Sequence, residues 1–156
     1  MRGKQAPKRE IVGDPKYNDI EIAKFINYLM KDGKKTTAQR IVYDCFDLLK
    51  EETNQEPRHV FNKGLKMICP LVEIRGRRVG GANYQVPHQV RGDRRFTLGC
   101  RWLITAAKAR KGHSMAEKLA AELLDSIKGE SASIKKKLDV HRMAEANKAF
   151  AHFARH

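Results

Sequence analysis

Few side chains in this sequence are spaced for catalysis, and many are spaced to meet an anion. Six histidines are scattered, at His59, His88, His113, His141, His152 and His156. None has the spacing of an HExxH metal helix. His152 and His156 stand four apart, but at a terminus expected to fray. Cys45, Cys69 and Cys100 sit singly inside apolar patterns. An odd number without a CxxC pair points to neither a disulfide framework nor a zinc site, so buried reduced thiols in a reducing cytosol are expected. No GxxxxGK[ST] loop is present, and no GxGxxG follows a strand. Asp44, Asp47, Glu51 and Glu52 cluster on one stretch, which reads as a solvated face. No catalytic residue, metal or cofactor is expected, and the chain does not read as an enzyme.

The remaining chemistry is cationic. Lys and Arg number 32 against 18 Asp and Glu, a net charge of +14. An excess of that size in a short chain opposes its own compaction and implies an anionic partner, with nucleic acid the leading class. Between residues 67 and 107 every basic residue is arginine: Arg75, Arg77, Arg78, Arg91, Arg94, Arg95 and Arg101. Guanidinium binds phosphate bidentately and stacks on bases, whereas ammonium acts as a point charge. Three of these arginines lie in residues 72–90, which read as a β-hairpin. Gly80-Gly81 is a two-residue turn signal. That turn sets Val79 opposite Ala82 and Arg77 opposite Tyr84. Pro87 suits an edge strand. A two-stranded ribbon is marginal by itself, and this one is too charged for a core, so an anionic partner is expected to hold it.

The rest of the chain must position these groups. Residues 1–19 form a basic arm carrying Arg2, Lys4, Lys8 and Arg9. It is expected to be disordered alone and to order on phosphates. Residues 20–156 read as one domain, mainly α, with six helices and one protruding hairpin. The first helix is predicted over 20–31, capped by Asn18 with Glu21 and stopped at Gly33. Its apolar face is Ile22, Phe25, Ile26, Leu29 and Met30. Gly33-Lys34-Lys35 forms a basic corner. A second helix, 36–53, has the stripe Ala38, Ile41, Cys45, Leu48 and Leu49, and its acidic far half is expected to face away from a polyanion. A third begins at Pro57 and ends near Cys69, before Pro70. The fourth, 93–110, opens on a Gly92-Asp93 turn and cap. It carries Arg94, Arg95 and Arg101, with Trp102 read as core.

Lys108, Arg110, Lys111 and His113 crowd the next corner. Ser114 and Glu117 form a capping box opening the fifth helix, 115–128, which Gly129 stops. Its stripe is Met115, Leu119, Leu123 and Ile127. Ser131 or Ser133 caps a last helix, 132–150, bearing Lys135-Lys136-Lys137 and His141-Arg142. No apolar run approaches the roughly 18 residues of a membrane span, and no secretory signal is read at the N-terminus, so no membrane partner is expected.

The run Arg77-Arg78-Val79-Gly80-Gly81-Ala82-Asn83-Tyr84-Gln85-Val86-Pro87, followed by Arg94-Arg95 and Arg101-Trp102-Leu103, resembles the signature of the small-subunit ribosomal protein seven family in its bacterial form. Residues 25–35, Phe25 through Lys35, and residues 137–148, Lys137 through Lys148, resemble its other marked segments. The likeness covers the whole chain. One departure is His88-Gln89, where the family usually carries valine-glutamate. The resemblance implies a primary binder of small-subunit ribosomal RNA that nucleates head assembly, in the cytoplasmic ribosome. It implies ribosomal proteins nine and eleven as neighbours. It also places the ribbon tip and last helix near the messenger RNA exit channel and exit-site transfer RNA.

Carried onto this chain, the expected ribosomal RNA contacts are Arg2, Lys4, Lys8, Arg9, Lys34, Lys35, Arg75, Arg91, Arg94, Arg95, Arg101, Lys108, Arg110, Lys111 and Lys136. The residues expected near messenger and transfer RNA are Arg77, Arg78, Asn83, Tyr84, His141 and Arg142. From composition alone, an architectural DNA-binding protein with an arginine ribbon is the alternative.

Overall fold

Among the described residues the apolar spacings become helices, with one two-stranded hairpin between the third and fourth of them. The computed structural model describes residues 3, 6, 7 and 9–155, the last two by backbone alone. The chain divides into two compact units, residues 1–40 and 41–156.

In the first unit, order begins before the helix. Asp14 is buried, and its Oδ2 accepts from the backbone N–H groups of Lys16 (3.1 Å) and Tyr17 (3.2 Å). The basic arm expected over 1–19 therefore ends in a folded turn. The helix α1 (Ile20–Leu29) is capped by Asp19, whose Oδ1 accepts from the Glu21 N–H at 2.7 Å. The cap was expected at Asn18. That residue instead takes a left-handed φ of 46°, which asparagine tolerates. Ile22, Ala23, Phe25, Ile26 and Leu29 are buried. α1 ends two residues short of expectation, because Met30 is extended and Asp32 and Gly33 both turn left-handed. The helix α2 (Lys35–Thr53) starts in this unit.

In the second unit, the rest of α2 buries Val42, Cys45, Phe46 and Leu49. The expected stripe missed Val42 and Phe46, and put Ile41 and Leu48, only half-buried, in their place. The next helix, α3 (Pro57–Ile68), meets α4 (Gly92–Ala109) and α5 (Met115–Lys128). Two glycines allow that approach. A Cβ on Gly64 would lie 3.0 Å from Leu123 Cδ2, and one on Gly99 would lie 2.7 Å from Cys69 Sγ. α4 begins one residue earlier than expected. Its N-cap is Arg91, without a side-chain cap bond, and Asp93 stands in the first turn. Trp102 is half-buried.

α5 has the expected bounds. Ser114 Oγ accepts from the Glu117 N–H and donates to Glu117 Oε1 at 2.8 Å, and Gly129 closes the helix at φ 92°. The helix α6 (Ala132–Ala146) is capped by Ser131, whose Oγ accepts from the Ile134 N–H at 3.1 Å. It stops short of 150, and a 3-10 segment (Lys148–Arg155) follows. The hairpin has the expected register. The strands β1 (Val72–Val79) and β2 (Ala82–Gln89) are antiparallel, with Val79 opposite Ala82 and Arg77 opposite Tyr84. Gly80 and Gly81 take φ of 57° and 88°, the pair of positive values a type I′ turn needs. α6 packs against β1 and α4, and the 3-10 segment packs against β2.

Candidate nucleic-acid interface

The ribbon base is built on one acid. Glu73 is buried, with its side chain 9% exposed. Its carboxylate accepts from Arg75 Nε at 2.6 Å, and from Arg94 Nε and Nη2 at 3.1 and 3.0 Å. Burial pushes this carboxyl up, but the hydrogen bonds and charges of Arg75 and Arg94 outweigh it, and the group ends below the usual range. One carboxylate thus orients two guanidiniums, and the trio keeps a net positive charge. Arg75 and Arg94 remain 58% and 47% exposed, which leaves outer edges for a second anion. Charge-assisted forks of this kind suit phosphate oxygens.

Arg78 near the ribbon tip, Arg91 just past the end of β2 and Arg101 on α4 are all exposed. Among the described residues no carboxylate forms an ion pair with any of them. Asn83 is exposed and faces Arg78 across the ladder. Lys108, Lys111 and Lys136 are exposed too. In the first unit Arg9, Lys34 and Lys35 are exposed, while Arg2, Lys4 and Lys8 lie outside the described residues.

Several sequence-selected residues have an internal role. Arg110 turns inward. Its Nε donates to Glu122 Oε2 at 2.8 Å, and its Nη2 reaches Asp125 Oδ2 at 2.5 Å. Glu122 is fully buried and also accepts from Ser133, from the backbone N–H at 3.0 Å and Oγ at 2.6 Å. This network ties the end of α4 to α5 and to the first turn of α6. Tyr84 packs between Phe150 and Phe153, with ring centroids 5.1 and 5.2 Å away. Arg77 Nη1 donates to the Phe153 carbonyl. The Arg77–Tyr84 pair therefore seats the C-terminal segment.

On α6, Arg142 pairs with Asp139 at 3.1 Å and stays exposed. His141 instead reaches the ribbon, where its Nε2 accepts from the Leu71 N–H at 3.2 Å. Burial, then the nearby Lys137 charge, hold this imidazole below its ordinary value. Arg95 is half-buried, and its Nε has no hydrogen-bond partner. Lys137 donates to the Met67 carbonyl at 2.6 Å. Burial and the charge of Arg95 lower its pKa.

Sequence reasoning missed Glu73, Glu122, Lys137 and the Phe150–Phe153 pair. Glu73 had a faint signal, an acid standing alone in an arginine-rich strand.

The arrangement offers guanidinium edges and ammonium groups. Among the described residues no cluster of histidine, cysteine and carboxylate side chains is arranged to hold a metal ion. No described helix is long and apolar enough to cross a membrane. Comparison with known proteins adds identity to this chemistry. The family profile for ribosomal protein S7p/S5e matches residues 1–148. The small ribosomal subunit protein uS7 of Caldanaerobacter subterraneus subsp. tengcongensis is 54% identical over 147 residues, 94% of each chain. That of Polynucleobacter necessarius is 53% identical over 152 residues, 97% of each chain. That of Moorella thermoacetica is 52% identical over 149 residues, 96% of each chain. A basic helical body with an arginine ribbon, matched at this level over nearly its whole length, belongs to the ribosomal protein S7p/S5e family.

Proposed function

We propose that the chain is a structural, RNA-binding component of the small ribosomal subunit in the cytoplasmic ribosome, and that it catalyses no reaction. Its partner is the small-subunit ribosomal RNA, bound as a primary ligand so that the head assembles around it. The observation that carries this reading is the set of exposed arginines Arg78, Arg91 and Arg101, which no carboxylate among the described residues pairs with, together with Arg75 and Arg94 held by Glu73. Phosphate contacts of this kind position a protein on RNA and make its affinity depend on salt. In the second unit Arg95, Lys108, Lys111 and Lys136 add further cations, and in the first unit Arg9, Lys34 and Lys35 offer their own. Arg110 contributes through the fold more than through a free guanidinium, since Glu122 and Asp125 occupy it.

The ribbon tip, with Arg78 and Asn83, and Arg142 on α6 are the groups offered toward messenger RNA and exit-site transfer RNA. Ribosomal proteins nine and eleven are the proposed protein neighbours. Crosslinking in purified small subunits, with the linked peptides and nucleotides identified, tests this. Links from the ribbon and α4 to ribosomal RNA are expected. Links confined to α2, or a preference of the isolated protein for duplex DNA over folded ribosomal RNA, would overturn it.

A further inference from the structure

We infer that Lys137 and His141 are positioning residues, a two-point clasp on α6 that sets the direction of the arginine ribbon. They stand four apart, hence on one helix face. Their two targets, Met67 and Leu71, are also four apart and bracket the link from α3 into β1. Lys137 Nζ donates to the Met67 carbonyl at 2.6 Å, and His141 Nε2 accepts from the Leu71 N–H at 3.2 Å. The Leu71 carbonyl in turn accepts from the Val90 N–H at 2.9 Å. Leu71 therefore has one backbone group fixed to α6 and the other to the returning chain at the ribbon base. Pro70 has no N–H and restricts Cys69, so the link between the two clasped carbonyl and amide groups has little freedom of its own.

Both side chains sit where a simple surface role would be costly. Lys137 is half-buried near Arg95, a like charge, and still spends its proton donor on one backbone oxygen. His141 lies at a cleft that Glu145 on its own helix, His88 on β2 and Lys148 on the 3-10 segment also line. It must be neutral, with Nε2 unprotonated, to accept from Leu71. A two-stranded ribbon is marginal by itself; the 3-10 segment holds β2 further out through Tyr84 and Arg77, and α6 grips the base. The bearing on messenger and transfer RNA rests on the function proposed above; the clasp itself does not.

Spin labels on Ala82→Cys at the ribbon tip and Lys128→Cys at the end of α5 report ribbon direction in the full chain. Both sites are exposed, while the three native cysteines are buried. One narrow distance is expected in the otherwise unsubstituted protein. His141→Leu and Lys137→Met should each lose it to a broad distribution. His141→Gln, whose side-chain oxygen can still accept from Leu71, should restore it. A narrow distance retained in Lys137→Met overturns the clasp, including where His141→Leu does not fold. Equal broadening in His141→Gln and His141→Leu overturns the acceptor role. Ribosomal RNA affinity is measured separately, and its absence in every variant and in the unsubstituted protein would count against the proposed function, leaving the distance result intact.

Discussion

Glu73 and Glu122 are the buried carboxylates of residues 41–156, and each is met by arginine. They do different work. Glu122 is sealed within the body, so Glu122→Leu leaves Arg110 with Asp125 alone and strands the first-turn N–H of Ser133. A loss of about 3 kcal/mol is expected, read by urea unfolding, as is usual when one partner of a buried pair is removed. Glu73 instead aims Arg75 and Arg94 outward. Its folded pKa is depressed, so its stabilisation is present above the usual carboxylate range and is lost as pH falls through the folded value. His141 is depressed from 6.5. Below that value the unfolded chain takes up the proton first, so stability also falls there as pH falls. Unfolding free energies from pH 7.5 downward should decline in two stages, and His141→Gln should remove only the earlier one. An unchanged first stage in that variant would contradict the neutral acceptor. Arginine type and exposure were legible from composition, but the Glu73–Arg94 bond spans 21 positions and leaves no local trace.

Among the elements, those set by local chemistry read well from sequence. α5 has its expected bounds because Ser114, Glu117 and Gly129 act within a few residues of its ends. The hairpin register follows from Gly80-Gly81 in the same way. α1 starts where expected, but its cap moves from Asn18 to Asp19, because both are competent caps and only the three-dimensional turn around Asp14 selects between them. The last helix was overextended because Phe150 and Phe153 find Tyr84, a long-range contact that propensity does not register. Two tests belong at this scale. Gly99→Ala should cost about 1–3 kcal/mol, the usual range for overpacking, because Cys69 Sγ already fills the space; thermal melting would measure it. Removing residues 148–156 should speed amide exchange in β2 and leave α3, α4 and α5 protected. Uniform exchange across the ribbon with and without the segment would contradict its docking role.

For the whole molecule, a charge of +14 opposes compaction and favours a polyanion. Among the described residues Arg110, Arg77, Lys137 and His141 turn to internal carboxylates or backbone groups and serve the frame. The proposed function depends on cations that face outward, Arg78, Arg91 and Arg101 without a carboxylate partner and Arg75 and Arg94 held by Glu73 yet exposed. That division can be measured directly through the salt dependence of binding to small-subunit ribosomal RNA. The affinity should fall linearly on logarithmic axes. Arg78→Ala, Arg91→Ala and Arg101→Ala should each reduce the slope by about one, the signature of a lost phosphate contact. Arg110→Ala should lower stability and leave the slope unchanged. An affinity flat in salt, or a slope lowered by Arg110→Ala but not by the three outer arginines, would contradict the outward-facing cations as the RNA surface.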